Sequence, residues 1–206
     1  MQTTPDADRG RLRFVEDGHA YFLDGRRVPA VSDILEPYWK AEYFAAGAAV
    51  MERARQVGNA IHLAIHLDLT GQLDESSIDP AIAPQFAKWR EFKAAAPTMG
   101  ITITASELRT FHAGLGYAGT LDIEGTLHGE PLIVDAKSGS VVSKVARLQT
   151  AGYAIARASH RAIDFRRYKR AVLQLRPDKW RFVETNDAID FTAFQSAIAI
   201  HHFFRK

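Results

Sequence analysis

Residues 131–137 read PLIVDAK, a short apolar run that ends in charged side chains. A run of this length is typical of a central β-strand that is buried on both faces. Because residues i and i+2 of a strand point to the same face, Asp135 and Lys137 are expected side by side at its end. Charges in such a place are costly unless they pair or bind a ligand. A D-x-K pair alone is nevertheless more often a surface salt bridge.

The strand predicted before this one carries a second carboxylate. Asp122 lies thirteen residues before Asp135, and a His128-Gly129 turn separates the two. Neighbouring antiparallel strands are about 4.8 Å apart, so the two carboxylates can come together. Glu107, one strand further upstream, offers a third. Carboxylates this close repel one another, and Mg²⁺ or Mn²⁺, which prefer oxygen ligands, would offset that repulsion.

Hydrophobic periodicity indicates the remaining elements. An N-terminal β-hairpin is expected at 12–15 and 19–23, with a turn leading into 26–28. Three helices follow, a short one over 33–35 that ends at Pro37, a long one over 41–69 and one over 80–96. The later elements are strands at 101–111, 117–123 and 131–137, a helix over 142–159, strands at 168–175 and 180–183, and a helix over 188–204.

This order of elements predicts an α/β (or α+β) fold with one mixed central β-sheet flanked by helices. We expect a single domain over residues 1–206. Its parts are an N-terminal hairpin segment (1–35), a helical region (40–97) and a sheet core with flanking helices (100–206).

Composition excludes several classes of protein. The chain has 206 residues, of which 47% are hydrophobic and 24% charged, as in ordinary globular domains. No apolar run reaches the roughly 18 residues of a membrane span, and the N-terminus lacks a signal-peptide pattern, so we expect a cytoplasmic protein. The absence of cysteine excludes disulfides, thiolate metal sites and cysteine nucleophiles.

The net charge of +2 does not by itself indicate a polyanion partner. Its distribution is more informative, because residues 144–181 contain eleven basic side chains and only two acidic ones. Such a local cationic region suits phosphate binding, although a solvated charged face is an equally good interpretation.

Three strings resemble the PD-(D/E)XK nuclease superfamily, in particular its RecB-like and phage exonuclease-like branch. They are GYAGTLDIEG at 116–125, LIVDAKSG at 132–139 and QTAGYAIA at 149–156. The branch carries G-x-x-D, then (D/E)-x-K-T-G, then Q-x-x-x-Y. The matching residues here are Asp122, Asp135, Lys137, Gln149 and Tyr153. Ser138 stands where the family usually has threonine, which keeps a hydroxyl.

Two upstream positions extend the resemblance. Gly58–His62 is similar to a G-x-x-x-H helix whose histidine joins the metal shell, and Glu107 matches an acidic residue that often precedes G-x-x-D. The resemblance implies a restriction-endonuclease-like core holding Mg²⁺ or Mn²⁺. The implied ligands are His62, Glu107, Asp122, Asp135 and the carbonyl group of Ala136.

The same resemblance implies a metal-dependent deoxyribonuclease, in particular an exonuclease of recombination or repair that leaves 5′-phosphates. Lys137 and Gln149 would act near the attacking water, and Tyr153 would touch the substrate backbone. Among the basic residues, Lys144, Arg147 and Arg170 are the candidate DNA contacts, made to the backbone with little sequence specificity. A bacterial or phage-infected cell is the expected setting, with a single-strand-annealing or recombination protein as a candidate partner.

Two other interpretations remain open at this stage. A protein with a nuclease fold can bind DNA or another protein without cutting. Alternatively, His62 and His66, four residues apart on one helix, have the spacing of a zinc pair in a small-molecule enzyme. The string between them lacks the glutamate of a metalloprotease.

Overall fold

A computed structural model describes residues 11–42, 44, 47–139 and 141–205, which form eight strands and five α-helices. The N-terminal half contains β1 (Leu12–Val15), β2 (Ala20–Leu23), β3 (Arg26–Val28), α1 (Val31–Glu42), α2 (Ala48–Thr70) and α3 (Ala83–Ala95). The C-terminal half contains β4 (Ile101–His112), β5 (Tyr117–Leu127), β6 (Glu130–Lys137), α4 (Lys144–Arg161), β7 (Lys169–Leu175), β8 (Trp180–Glu184) and α5 (Ile189–Phe204).

A mixed five-stranded sheet forms the centre of the fold, in the order β4-β5-β6-β7-β8. The β6–β7 pair is parallel and the other three pairs are antiparallel. Helix α4 connects the two parallel strands, as such a crossover requires. The middle strand, β6, is buried along Leu132–Ala136, which confirms the prediction made from its apolar run. The α/β class and the flanking helices are confirmed with it.

Each face of the sheet is covered by its own set of helices. Helices α1, α4 and α5 pack around Leu121 and Ile133 on one side. On the other side, α2 and α3 pack around Ile123 and Val134. Successive residues of β6 therefore enter different cores, and polar side chains among them are expensive unless they are paired.

A second, three-stranded sheet joins β1, β2 and β3, as the predicted hairpin requires. Its inner face packs Tyr21 and Leu23 against Phe111 and Ala118 of the main sheet. The N–H of Ala118 also donates to the carbonyl oxygen of Pro29 over 3.0 Å. The hairpin sheet is thereby fixed against the first half of β5, next to the residues that precede Asp122.

The prediction that Pro37 ends a short helix is wrong. Helix α1 runs through Pro37 to Glu42, and the long helix begins at Ala48 rather than at residue 41. An interior proline removes one hydrogen bond, at a cost of about 3 kcal/mol. Burial of Ile34 and Leu35 before it, and packing of Trp39 after it, offset that loss. Positions 43, 45 and 46 of the predicted helix lie outside the described residues, as do 1–10, 140 and 206.

A buried ion pair ties the sheet to α4. The guanidinium of Arg157 donates to both carboxylate oxygens of Glu124, over 3.0 and 2.9 Å. Both side chains are under 10% exposed. The hydroxyl of Tyr168 and the guanidinium of Arg161 also contact Glu124, at 3.4 and 3.1 Å. Glu124 lies two residues after Asp122, so this pair fixes α4 next to the candidate site.

Candidate functional site

The site lies where strands β5 and β6 separate. Their pairing runs from Leu127–Glu130 to Ile123–Val134 and stops there. One more step of the same register would place Asp122 opposite Asp135. Instead, Oδ2 of Asp122 accepts a hydrogen bond from the backbone N–H of Ala136 over 2.8 Å. A carboxylate thus replaces a main-chain partner, and this opens the sheet at its buried centre.

Glu107 faces the same opening from strand β4. The flanking pairs, Ser106 with Ile123 and Leu108 with Leu121, place Glu107 opposite Asp122. Its φ angle is +49°, a left-handed conformation that costs a residue other than glycine about 1–3 kcal/mol. Strain of this kind is concentrated at functional sites, where the surrounding structure imposes it.

His62 on α2 connects the separated strands. Its Nε2 lies 2.8 Å from the carbonyl oxygen of Ala136, and its Nδ1 lies 3.5 Å from Oδ1 of Asp122. A carbonyl oxygen can only accept, so we assign the proton of this hydrogen bond to Nε2. Ligand atoms of His62, Glu107 and Asp122 all lie within 4.8 Å of one another. Three residues from three separate elements therefore converge on one point.

Asp135 and Lys137 form the adjoining part of the site. The ammonium of Lys137 donates to Oδ1 of Asp135 over 2.7 Å, which confirms that the two side chains share a face. Asp135 is 1% exposed, and its Oδ2 is buried with no hydrogen-bond partner among the described residues. Asp135 does not belong to the group formed by His62, Glu107 and Asp122, but the negative charge of Asp122 is close enough to raise the pKa of Asp135. A buried, unsatisfied carboxylate oxygen is what a bound cation would satisfy.

Burial and the charge of Asp122 raise the pKa values of two carboxyl groups of the site, those of Glu107 and Asp135. Burial raises the pKa of Glu107 to about 7, and the charge of Asp122 adds to the shift. Burial likewise raises the pKa of Asp135 to about 6, although the ammonium of Lys137 opposes the increase. Both carboxyl groups thus resist ionisation without a nearby positive charge. The donor set of oxygens and one imidazole fits Mg²⁺ or Mn²⁺.

We expect Mn²⁺ to bind more tightly as the pH rises from about 5.5 to about 8. A proton must leave Glu107 before the cation binds at low pH, whereas above the raised pKa the carboxylate is already ionised. Affinity should therefore increase up to about tenfold per pH unit for each proton displaced, and then level off. Calorimetric titration in two buffers of different ionisation enthalpy measures the proton release. Glu107→Gln should reduce it, and an affinity independent of pH contradicts the expectation.

An open cleft of about 580 Å³ leads to the three converging side chains. Its walls come from the hairpin sheet, α2, β5 and α4. A second cavity of about 390 Å³ continues past Lys137 and shares Arg55, Asn59 and His62 with the first. The α2 residues at 55, 59 and 62 lie on one helix face, which forms a common wall of both cavities. A chain molecule can therefore approach the site from either side.

Gln149 and Tyr153 lie where the sequence pattern places them, on the α4 face that borders the cleft. Gln149 Nε2 donates to the Tyr153 hydroxyl over 3.5 Å. Tyr153 is only 4% exposed and packs on Gly119, where an added Cβ would lie 2.8 Å from its ring. The glycine of G-x-x-D is therefore required for close approach of the helix. Tyr153 is more a wall of the site than an exposed contact surface.

The prediction that Arg170 contacts nucleic acid is wrong. Arg170 is fully buried, and its guanidinium donates to Asp190 and to the carbonyl oxygens of Arg147 and Asp187. Arg147 is 31% exposed and is held by the carboxylates of Asp187 and Asp190, so its charge is already neutralised. Both acidic partners lie in a later segment of the chain, which local sequence could not reveal. Lys144 is exposed and remains a candidate phosphate contact.

The zinc alternative gains no support from the position of His66. Its Nδ1 lies 2.8 Å from the hydroxyl of Ser106. Over the described ranges, the one group of three potential metal-ligating side chains contains His62 and omits His66.

The sequence analysis does not identify several residues that position the site. Gln174, opposite Lys137 on β7, donates through Nε2 to the carbonyl oxygen of Gly139 over 2.7 Å and holds the loop after Lys137. Ser143 caps α4 by accepting from the N–H groups of Val145 and Ala146. The spacing of Arg55 and Asn59 from His62 could have indicated their place on the cleft wall. No local signal indicates the role of Gln174.

Comparisons with known proteins add little to this geometry. No family model matches the sequence, and no curated protein matches it. Among solved structures, the crystal structure of SSO0001 is similar to this chain. The match spans 73% of this chain and 75% of the SSO0001 chain, with 12% sequence identity and a TM-score of 0.39. A similarity this weak carries no argument about function. Within the described part of the chain, no helix is long and apolar enough to cross a membrane.

Proposed function

We propose that this chain is a divalent-metal-dependent deoxyribonuclease with a restriction-endonuclease-like core. Its subtype would be an exonuclease of recombination or repair that leaves 5′-phosphates, as the sequence resemblance implies. One observation carries the proposal: His62, Glu107 and Asp122 converge within 4.8 Å, next to a buried Asp135 that is paired with Lys137. Retaining so many polar groups at the buried centre of a sheet is costly unless they bind a cation and a substrate.

His62, Glu107, Asp122 and the unsatisfied oxygen of Asp135 would hold Mg²⁺ or Mn²⁺, with the carbonyl oxygen of Ala136 next to them. When bound, the ion supplies a Lewis acid that withdraws charge from the phosphate and makes water a better nucleophile. The hydrogen bond between Nε2 of His62 and the carbonyl oxygen of Ala136 holds the imidazole and this carbonyl group at the opening between β5 and β6.

Lys137 is the residue of this chain best placed to act on the reacting groups. Its side chain is 26% exposed and lines the second cavity, while Asp135 fixes the ammonium from behind. An ammonium held in this way donates hydrogen bonds to the attacking water and to a phosphate oxygen, and it opposes the negative charge that develops there. Gln149, which lines the cleft from α4, would add a neutral donor for the same phosphate.

A cleavage assay tests the proposal. Linear and covalently closed circular DNA, both single- and double-stranded, are incubated with Mg²⁺, with Mn²⁺ or with EDTA. We expect metal-dependent degradation of linear DNA that leaves 5′-phosphates, and little degradation of closed circles if the enzyme is an exonuclease. Binding without cleavage under all conditions would favour a non-catalytic DNA-binding protein. If the protein neither binds nor cleaves DNA under any of these conditions, the proposed substrate is refuted.

A further inference from the structure

An aromatic and cationic surface borders the cleft on the hairpin side, and none of the steps above uses it. The ring of Phe14 on β1 is its centre. The ring centroids of His19 and Tyr21 both lie 4.9 Å from that of Phe14, with His19 edge-on. The guanidinium carbon of Arg109 lies 4.7 Å from the same centroid. We call these four residues the hairpin surface.

Arg109 differs from most arginines of the fold in its partners. Arg109 is exposed, and no ion pair between described residues includes this arginine. By contrast, Arg55 is paired with Glu52 and Arg147 with Asp190. The Phe14 ring fixes the position of the Arg109 guanidinium without neutralising its charge. An arginine that is held in place but not neutralised is well suited to a phosphate group.

The hairpin surface is continuous with the candidate metal centre. His19 and Tyr21 line the same cleft as Glu107 and Asp122. The hydroxyl of Tyr21 lies 2.8 Å from that of Thr120, which comes two residues before Asp122. His19 is exposed and has a left-handed φ of +46°. Its ring thus stands on the rim of the cleft, where a base or a phosphate would pass.

We infer that the hairpin surface is a subsite for a nucleotide next to the scissile phosphate, with Arg109 binding its phosphate and His19 contacting its base. The substrate is then a polynucleotide strand that continues across the hairpin sheet, rather than a small phosphodiester confined to the metal centre. Aromatic rings combined with cations are the usual means of holding a single strand without reading its sequence. The inference rests on the proposed function, because it states where the substrate strand of that function binds beyond the metal centre.

Two substrates of different length test the inference. A fluorescent single-stranded oligonucleotide, titrated in EDTA so that it is not cut, reports binding, and bis(p-nitrophenyl) phosphate with Mn²⁺ reports catalysis alone. We expect Arg109→Ala to weaken oligonucleotide binding about tenfold and to reduce the slope of log K against log salt by about 0.7, the loss of one phosphate contact. His19→Ala should weaken binding about fivefold without changing the slope. Both variants should hydrolyse the small diester at the wild-type rate.

Arg166→Ala is the control, because Arg166 also lies over a phenylalanine ring, at 4.8 Å from Phe165, but is paired with Asp164 and belongs to neither the hairpin surface nor the cleft. It should bind like the wild type, and Arg109→Lys should restore the salt slope. Wild-type affinity and slope in Arg109→Ala would overturn the subsite, and so would loss of small-diester hydrolysis in that variant. If the wild type hydrolyses neither the small diester nor the oligonucleotide when Mn²⁺ replaces EDTA, but Arg109→Ala still loses binding, the proposed function fails and the hairpin surface remains a strand-binding site. A wild type that does not bind the oligonucleotide overturns the inference.

Discussion

Lys137→Ala will lower the rate of metal-dependent DNA cleavage by about a hundred- to a thousandfold while the protein stays folded. The side chain is partly exposed, so its removal leaves no large cavity. Its loss takes away the ammonium that Asp135 holds at 2.7 Å and that we place next to the attacking water. It also removes the positive charge that opposes the increase in the pKa of Asp135, so the pKa of this carboxyl should rise further. The assay is therefore run at about pH 8, where Asp135 is expected to remain ionised.

Lys88→Ala is the matched control for this substitution. The ammonium of Lys88 is also 2.7 Å from a carboxylate, that of Glu91, but it lies on α3 and lines neither the cleft nor the second cavity. We expect this variant to cleave like the wild type. If Lys137→Ala kept more than about a tenth of wild-type activity, the lysine would have no direct part in the chemistry, whatever the metal does.

Arg157→Ala will lower the free energy of unfolding by about 3–5 kcal/mol. Glu124 is 2% exposed and receives two hydrogen bonds from Arg157, so the substitution leaves a buried carboxylate without its main partner. Arg161 and Tyr168 also contact Glu124, which favours the lower end of that range. Urea unfolding followed by circular dichroism measures the change.

Two further variants separate loss of the ion pair from loss of side-chain volume. Arg157→Met combined with Glu124→Gln should be less destabilised than Arg157→Ala, because no uncompensated charge remains in the core. Arg166→Ala, which breaks a pair with Asp164 whose two side chains are both more than half exposed, should stay within about 0.5 kcal/mol of the wild type. A loss below about 1 kcal/mol in Arg157→Ala would show that Glu124 is held mainly by its other contacts.

The elements with a clear period were predictable from sequence. The apolar run of β6 indicated a central strand, and the structure has it in the middle of the sheet. The shared face of Asp135 and Lys137 followed from strand geometry alone. The predicted helix end at Pro37 is wrong because the helix-breaking effect of proline is outweighed by the burial of Ile34 and Leu35. That burial depends on helices far along the chain.

The details of the site depend on contacts that a sequence does not state. Spacing indicated that Asp122 and Asp135 would lie close together, but it did not show that one accepts from Ala136 N–H and the other from Lys137. The left-handed backbone of Glu107 has no local signal either. The basic neighbours of Arg170 in sequence indicate a substrate contact, whereas its neighbour in space is the carboxylate of Asp190.

Locating Mn²⁺ in crystals of the protein shows whether the converging side chains are a metal centre. We predict an anomalous-scattering peak bounded by His62, Glu107 and Asp122, with the carboxylate of Asp135 beside it, and loss of the peak in Asp122→Ala. If such crystals show no Mn²⁺ at these residues while it occupies His66 or another site, the converging carboxylates are not a metal centre and the proposed mechanism is wrong.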